Sequence, residues 1–378
     1  TASLYRLENN NGINYGMPWI KPTSGSAAST STLLPVSPTT NYGMASDYNN
    51  GTATYATLAH THRFDGDTEL TTRVRRGAYT RDQRASTIGF VNPTGLDTLS
   101  ANTQLKRGQQ NKIQDLDTLY VQSDLSAKVN AWGMKHELLS GIDVAQENKT
   151  VYAARTAAQG LGGLDITRPN TTIGTPNDGA WGNEGARALR VSNQYTSTAW
   201  GVYAQDLAQI APHWKLLGGL RYDSLNGNYD SFAAPGANVA NGTKSNYQMN
   251  VGEWSKRVGA LFQPSERESY HFSAATSFNT SGDAYSLGVS NADVPPEQSI
   301  NLELGAKIDS ADKNFTTRYA LFRSTKLHER NTDPLVNVAV LSGKRHATGL
   351  EMDFTGRLTP RWEAYGSFMW IPDARIDE

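Results

Sequence analysis

Apolar residues recur at every second position along almost the whole chain, and no long stretch keeps the 3.6-residue period of a helix. In Ile300-Asn301-Leu302-Glu303-Leu304-Gly305-Ala306-Lys307-Ile308-Asp309 one face reads Ile, Leu, Leu, Ala, Ile and the other Asn, Glu, Gly, Lys, Asp. Trp362, Ala364, Gly366, Phe368 and Trp370 oppose Arg361, Glu363, Tyr365 and Ser367 in the same way. Leu119-Val121-Leu125-Ala127-Val129 and Trp214-Leu216-Leu220-Tyr222 repeat the theme. Side chains on a strand alternate between faces, so this pattern dictates a sheet with one greasy and one polar surface.

The spacing predicts strands over 2–7, 51–64, 68–80, 113–129, 134–148, 193–208, 214–229, 250–263, 268–279, 299–309, 313–326, 344–357 and 361–371. Many exceed the ~5–6 residues usual in globular sheets. Between them, short connections such as Asp65-Gly66-Asp67, Ala211-Pro212-His213 and Thr359-Pro360 alternate without exception with long ones, at 8–50, 81–112, 149–192, 230–249, 280–298 and 327–343. Hairpinned antiparallel strands put every second connection on the same rim, so one rim is trimmed tight and the other carries large excursions. Outer-membrane barrels have this asymmetry, with apolar residues facing outward. A soluble sandwich has shorter strands and no such bias.

The remaining numbers narrow the alternatives. No run approaches the ~18 apolar residues of a membrane helix. A net charge of −1 removes the electrostatic case for nucleic acid as a partner. Without cysteine there is no disulfide, thiolate metal site or thiol nucleophile. Thr1 runs directly into Ala2-Ser3-Leu4-Tyr5 without Met or an apolar leader, as expected of a mature chain or a piece of a longer one.

Enzyme signatures are missing. There is no Gly-x-Ser-x-Gly elbow, and Ser342-Gly343-Lys344-Arg345 lacks phosphate-loop spacing. His60 and His62 share one strand face in a geometry that suits a metal, but no third ligand is suitably spaced, so they read as wet histidines near a rim. Glu303, Glu351 and Asp353 face the polar side with nothing to show that any two converge. Arg73 and Arg75 share that side, and pairing with Glu303, Glu351 or a missing domain is expected. Arg81, Arg84 and Arg330 lie beyond the strand ends, where they suit either solvation or attraction of an anionic ligand. Aromatics gather toward strand ends: Tyr79, Trp132, Trp200, Tyr203, Trp214, Tyr222, Phe278, Trp362 and Trp370. Such residues suit an interfacial girdle, although strands favour aromatics in any setting. The polar stretch Pro22–Thr32 buries too little apolar surface to offset its ordering entropy, and reads as a flexible or ligand-gathering loop.

Several stretches resemble TonB-dependent outer-membrane receptors, in particular those for ferric catecholate siderophores. Tyr203-Ala204-Gln205-Asp206 followed by Trp214-Lys215-Leu216-Leu217-Gly218-Gly219-Leu220-Arg221-Tyr222-Asp223 is similar to the family's mid-barrel hairpin. Pro296-Glu297-Gln298-Ser299-Ile300-Asn301-Leu302-Glu303-Leu304-Gly305-Ala306-Lys307 is similar to a further family strand, and Gly349-Leu350-Glu351 through Leu358-Thr359-Pro360-Arg361-Trp362 continues in family order. Asn14-Tyr15-Gly16-Met17-Pro18 and Asn41-Tyr42-Gly43 resemble a loop of the catecholate subgroup.

The resemblance implies an all-β, antiparallel, up-and-down transmembrane barrel in a Gram-negative outer membrane. Residues 1–378 would form thirteen of its ~22 strands, without the plug and the closing strands. It implies a receptor and not an enzyme, with iron present only as chelated cargo and no cofactor. Its partners would be the ferric siderophore, membrane lipid and, through the missing plug region, the TonB–ExbB–ExbD complex. The ligand is a flat-ringed polyanion, so its site should combine aromatics with guanidinium groups. Trp19, Tyr42, Tyr79, Arg81, Arg84, Tyr285 and Arg330, in or beside the long loops, are the candidates. A passive porin and a soluble glycan-binding β-sandwich are the rivals. An open arc leaves edge-strand backbone groups unpaired in lipid, so this piece by itself is expected neither to insert nor to transport.

Overall fold

The structure, a computed structural model, describes residues 1–64, 67–280, 285–289, 291–292, 294–332 and 339–377. Its strands are β1 (Ala2–Gly12), β2 (Trp19–Ile20), β3 (Thr32–Leu33), β4 (Tyr48–Arg63), β5 (Thr68–Phe90), β6 (Gln104–Ala131), β7 (Met134–Ala154), β8 (Thr171–Thr172), β9 (Leu189–Ala211), β10 (Trp214–Phe232), β11 (Lys244–Ser265), β12 (Glu268–Asn279), β13 (Glu297–Asp309), β14 (Phe315–Thr332), β15 (Ala339–Thr359) and β16 (Trp362–Ile376). Thirteen of these pair in the order β1-β4-β5-β6-β7-β9-β10-β11-β12-β13-β14-β15-β16, β8 adds to β6, and β2 pairs with β3. Each pairing along the path is antiparallel, as in β4 with β5 and β15 with β16. The sheet is therefore an up-and-down meander without crossovers, as the alternating connections predicted.

Register explains the greasy face. Leu216 lies opposite Ala260, Ala260 opposite Phe272, and Phe272 opposite Leu304. The same row continues through Leu321, Leu350 and Trp370. Leu304 and Leu321 are each 56% exposed and Trp370 is 57% exposed. A contiguous apolar band seven strands wide far exceeds the few hundred Å² a soluble monomer leaves open. Aromatic belts bound it. On the long-loop side Trp200, Tyr222 and Trp254 form a cluster with ring centroids 5.4 and 5.1 Å apart. On the short-turn side Trp214 stacks on Phe262 at 4.7 Å. Along β10, Trp214 and Tyr222 stand ~26 Å apart at ~3.3 Å per residue. After allowing for strand tilt, that spacing suits the ~25 Å apolar band of an outer-membrane barrel. Tyr79 and Tyr203, expected among the girdle aromatics, lie on the opposite face, because Tyr79 pairs with Ala53 and Tyr203 with Arg221.

The strand boundaries differ from expectation at the long-loop rim. The supposed connection 81–112 is mostly strand, since β5 runs to Phe90 and β6 begins at Gln104. β9 and β11 likewise start before the expected 193 and 250, at Leu189 and Lys244. The cause is an inversion of polarity along the strands. Trp254, Val258 and Phe262 of β11 lie on the greasy face, whereas Met249 and Val251 are buried on the other. A strand that changes its apolar phase midway looks as if it ends where the phase changes.

At the short-turn rim, Trp132 and Gly133 connect β6 to β7 with φ of 51° and 76°. Positive φ at both central residues gives the hairpin turn the right twist but is strained for a bulky side chain. Trp132 is 87% exposed and meets His136 edge-on at 5.7 Å, a placement suited to a headgroup layer.

Candidate functional site

The polar face carries an ion-pair network at mid-height. Arg221 forms a bidentate pair with Asp143, at 2.7 and 3.0 Å, and also binds Asp223. Arg73 reaches Asp124 at 3.1 Å, and Tyr203 donates its hydroxyl to the same carboxylate. The Tyr203 ring crosses β7 to do so, and the crossing requires Gly141. A Cβ there would sit 2.6 Å from the Tyr203 hydroxyl and 2.8 Å from the Ser123 carbonyl. Arg75 lies over Tyr55 at 3.7 Å. The expected partners of Arg73 and Arg75, Glu303 and Glu351, are thus replaced by Asp124 and Tyr55 on adjacent strands, while Glu303 accepts from His271 at 2.7 Å. His60 and His62 fall on the greasy face near the short-turn rim, since His62 pairs with Leu70. Among the described residues no three metal-ligating side chains gather.

Above that network the same face carries a cluster of phenolic side chains toward the long-loop rim. Tyr79, Lys149, Tyr195 and Tyr229 fall on nearly one register row across β5, β7, β9 and β10, with Glu147 one row below. The segment 285–289 folds onto this wall. Tyr285 meets Tyr195 edge-on at 5.0 Å, donates to Glu147 at 2.8 Å, and carries the Lys149 ammonium 3.8 Å above its ring. Leu287 completes a buried cluster with Tyr195, Tyr229, Met249 and Val251. Burial, and then the Glu147 carboxylate, push the Tyr285 hydroxyl well above its ordinary pKa, so it stays a donor.

A second assembly of loops rests on the extended ends of β5 and β6. Ile20, Leu34, Tyr42 and Leu105 form its apolar centre. Its ionic centre is Glu184, whose carboxylate takes Arg168 and Arg187 and whose carbonyl takes Arg84. Arg107 donates to the Tyr42 carbonyl at 2.6 Å and pairs with Asp178 at 2.8 Å. Asp47 accepts from Ser86 at 2.9 and 3.1 Å. Burial raises the hydroxyl pKa of Tyr48, beside Arg84 and Asp82, to about 12. Pro22–Thr32 is largely exposed, as expected, but Ile20 and Leu34 pin the loop on either side of it.

The candidate residues therefore sort by environment. Tyr42 is buried, with its hydroxyl on the Ile173 carbonyl at 2.9 Å, and Arg84 is 3% exposed within the loop assembly. Both brace the loops. Arg81 and Arg84 lie within β5 and not beyond it, and Arg81 donates to Gln83. Tyr285 belongs to the phenolic cluster, while Tyr79 shares its register row two strands from Lys149, with its ring folded over Gly77. Trp19 stands 64% exposed on the first long loop. Arg330, at the end of β14, donates its backbone N–H to Glu297 at 2.9 Å. Sequence reasoning missed Glu147, Lys149 and Tyr195, because period 2 shows a shared face but not which strands bring residues together.

The family described as TonB dependent receptor-like, beta-barrel matches residues 2–377. Catecholate siderophore receptor Fiu of Escherichia coli (strain K12) is 26% identical over 357 residues, covering 86% of this chain and 45% of that protein. Probable TonB-dependent siderophore receptor PiuA of Acinetobacter baumannii is 24% identical, covering 68% of this chain and 36% of that protein. The closed-form crystal structure of the ferric-catecholate import receptor Fiu superposes with a TM-score of 0.83 at 21% identity, covering all of this chain and 55% of that one. The chain thus spans about half the length of the curated relatives it matches.

Proposed function

From the premise that this chain belongs to the β-barrel family of TonB-dependent receptors, and so lies in a Gram-negative outer membrane with its apolar face in lipid, we propose that it is a portion of a receptor importing a ferric siderophore of the catecholate class. The observation that carries this reading is the cluster on the upper polar face, where Tyr195 and Tyr285 stand against Glu147 and Lys149, with Tyr79, Arg75 and Arg81 on the same face of β5. Phenol rings offer stacking surfaces to catechol rings, and ammonium and guanidinium groups offset the ligand's negative charge.

In this reading the loops gather the complex, the mouth closes over it, and force transmitted by TonB with ExbB and ExbD opens a path inward. No nucleotide site is needed, because the energy enters from outside the barrel. The names of the relatives Fiu and PiuA point the same way. The passive-porin alternative fits poorly with a wall whose upper inner face is covered by Tyr285 and Leu287, since a diffusion pore needs a hydrated lumen.

The test is alanine replacement in the intact receptor, with affinity for a ferric catecholate read at two salt concentrations. Tyr79, Lys149, Arg81 and Arg330 variants should bind more weakly, the cationic ones with a shallower salt dependence. Tyr42 and Arg84 variants should lose affinity together with loop protection, because they act through folding of the loops. Unchanged binding in all six would overturn the assignment.

A further inference from the structure

Above the Trp200–Tyr222–Trp254 belt, the outward face of β7, β9, β10 and β11 carries no charge for two complete registers. Gln146, Thr198, Asn226 and Asn250 lie directly opposite one another in the first. Asn148, Thr196, Asn228 and Gln248 do so in the second. Together they line a shallow trough of about 370 Å³. Directly opposite side chains stand ~4.5–5.5 Å apart, so the trough is a lattice of amides and hydroxyls four strands wide.

On the other face of the same strands, Tyr195, Tyr229, Met249 and Val251 are packed under Leu287, which fixes the wall in place. Outward, Gln146, Asn148, Asn226, Gln248 and Asn250 are all exposed or half-exposed. Among the described residues, of these eight only Asn228 is taken by a neighbouring side chain, accepting from Asn246 at 2.8 Å. The trough begins two residues beyond Trp200 and four beyond Tyr222 and Trp254, or ~7–13 Å further from the apolar band.

We propose that this trough holds the saccharide head region of a glycolipid in the outer leaflet. The site is continuous with the lipid-facing band, so its occupant is anchored in the membrane beside the barrel. It has no cation to take a phosphate and no apolar surface to take a chain, whereas side-chain amides both donate and accept, as paired sugar hydroxyls require. The indole and phenol rings of Trp200, Tyr222 and Trp254 supply flat apolar surfaces below it for the C–H face of a sugar ring.

The experiment uses the intact receptor in nanodiscs of phosphatidylethanolamine doped with a purified outer-leaflet glycolipid, either bearing its core sugars or stripped to the lipid anchor. After exchange into detergent, the glycolipid retained per receptor is measured by mass spectrometry. The sugar-bearing form should be retained at least threefold more than the bare anchor. Both an Asn226→Ala/Gln248→Ala/Asn250→Ala variant and an Asn226→Asp/Asn250→Asp variant should lower it to the anchor level, with near-UV circular dichroism unchanged. Equal retention of the two forms by the parent receptor, or undiminished retention by folded variants, would overturn the proposal. So would equally tight binding of the free core oligosaccharide, which would identify a soluble glycan as the occupant. Siderophore affinity should not change in either variant, which separates this site from the phenolic cluster on the opposite face.

Discussion

The Tyr285 hydroxyl donates to Glu147 at 2.8 Å and thereby fastens a loop residue to the inner face of β7, 138 positions away in the chain. The bond stands beside the Tyr195 ring and the Lys149 ammonium, and both of its partners are half-buried. Contacts of this kind hold the 285–289 segment on the wall, because among the described residues it has no strand partner of its own.

Tyr285→Phe should keep the ring packing on Tyr195 and remove the donor to Glu147. A hydrogen bond to a charged group contributes about 1.5–3 kcal/mol, so the loop should open roughly tenfold or more often. Hydrogen exchange over 285–289 in the intact receptor reads this directly. Exchange equal to that of the parent would show that Leu287 alone holds the segment.

Glu184→Gln should release the loop assembly while the wall remains. The carboxylate is 3% exposed between Arg168 and Arg187, and its loss leaves Arg187 with backbone carbonyls alone and Arg168 with Asp47 at 4.0 Å as its remaining carboxylate. Breaking a buried ionic cluster in this way costs about 3–5 kcal/mol. Protease cutting within 155–188 should rise sharply, with the melting of the sheet nearly unchanged. Simultaneous loss of both would mean that the loops and the wall fold as one unit.

Acidification should loosen the same loops through Asp178. Burial opposes ionisation of Asp178, but the Arg107 guanidinium and the Ala180 N–H outweigh it and hold the carboxyl below its ordinary value of 3.8. A depressed folded-state pKa stabilises fully above the unfolded value and is lost as pH falls through the folded one. Loop protection should therefore be constant above about pH 5 and decline below about pH 4. An Asp178→Asn variant should show the low-pH behaviour at neutral pH. Protection that declines near pH 6 would point to histidine instead.

Trp132→Asn should relax the β6–β7 turn. Asn tolerates the left-handed backbone at φ 51°, where a bulky residue carries strain of about 1–2 kcal/mol. The variant should be more resistant to unfolding in detergent and slower to insert into lipid vesicles, since it lacks the interfacial ring. Unchanged insertion would remove Trp132 from the aromatic belt.

Gly141→Val should break the mid-wall network without touching a charged residue. Its side chain would meet the Tyr203 ring and the Ser123 carbonyl, a backbone atom that cannot move aside. Tyr203 would withdraw from Asp124, and we expect a loss of about 1–3 kcal/mol from overpacking. Gly141→Ala should cost less but in the same direction, as thermal unfolding of the intact receptor would record. No change in either variant would mean that the ring already sits clear of β7.

Much of the wall was legible in the chain itself. The alternation of Ile300, Leu302 and Leu304 against Asn301, Glu303 and Gly305 determined a one-sided sheet, because a strand offers only two faces. The alternation of short and long connections determined an up-and-down meander with unequal rims, and the thirteen paired strands of the path follow it. What the tertiary structure decided lies at the mouth. β9 to β11 continue past the apolar belt with their polarity reversed, because lipid is outside below that level, whereas above it water is outside and a folded loop inside. Pairing of Tyr285 with Glu147, of Glu184 with Arg168 and Arg187, and of Asn226 with Asn250 depends on register and loop return across distant segments. Local periodicity states which face a residue occupies, and only the folded sheet states what stands opposite it.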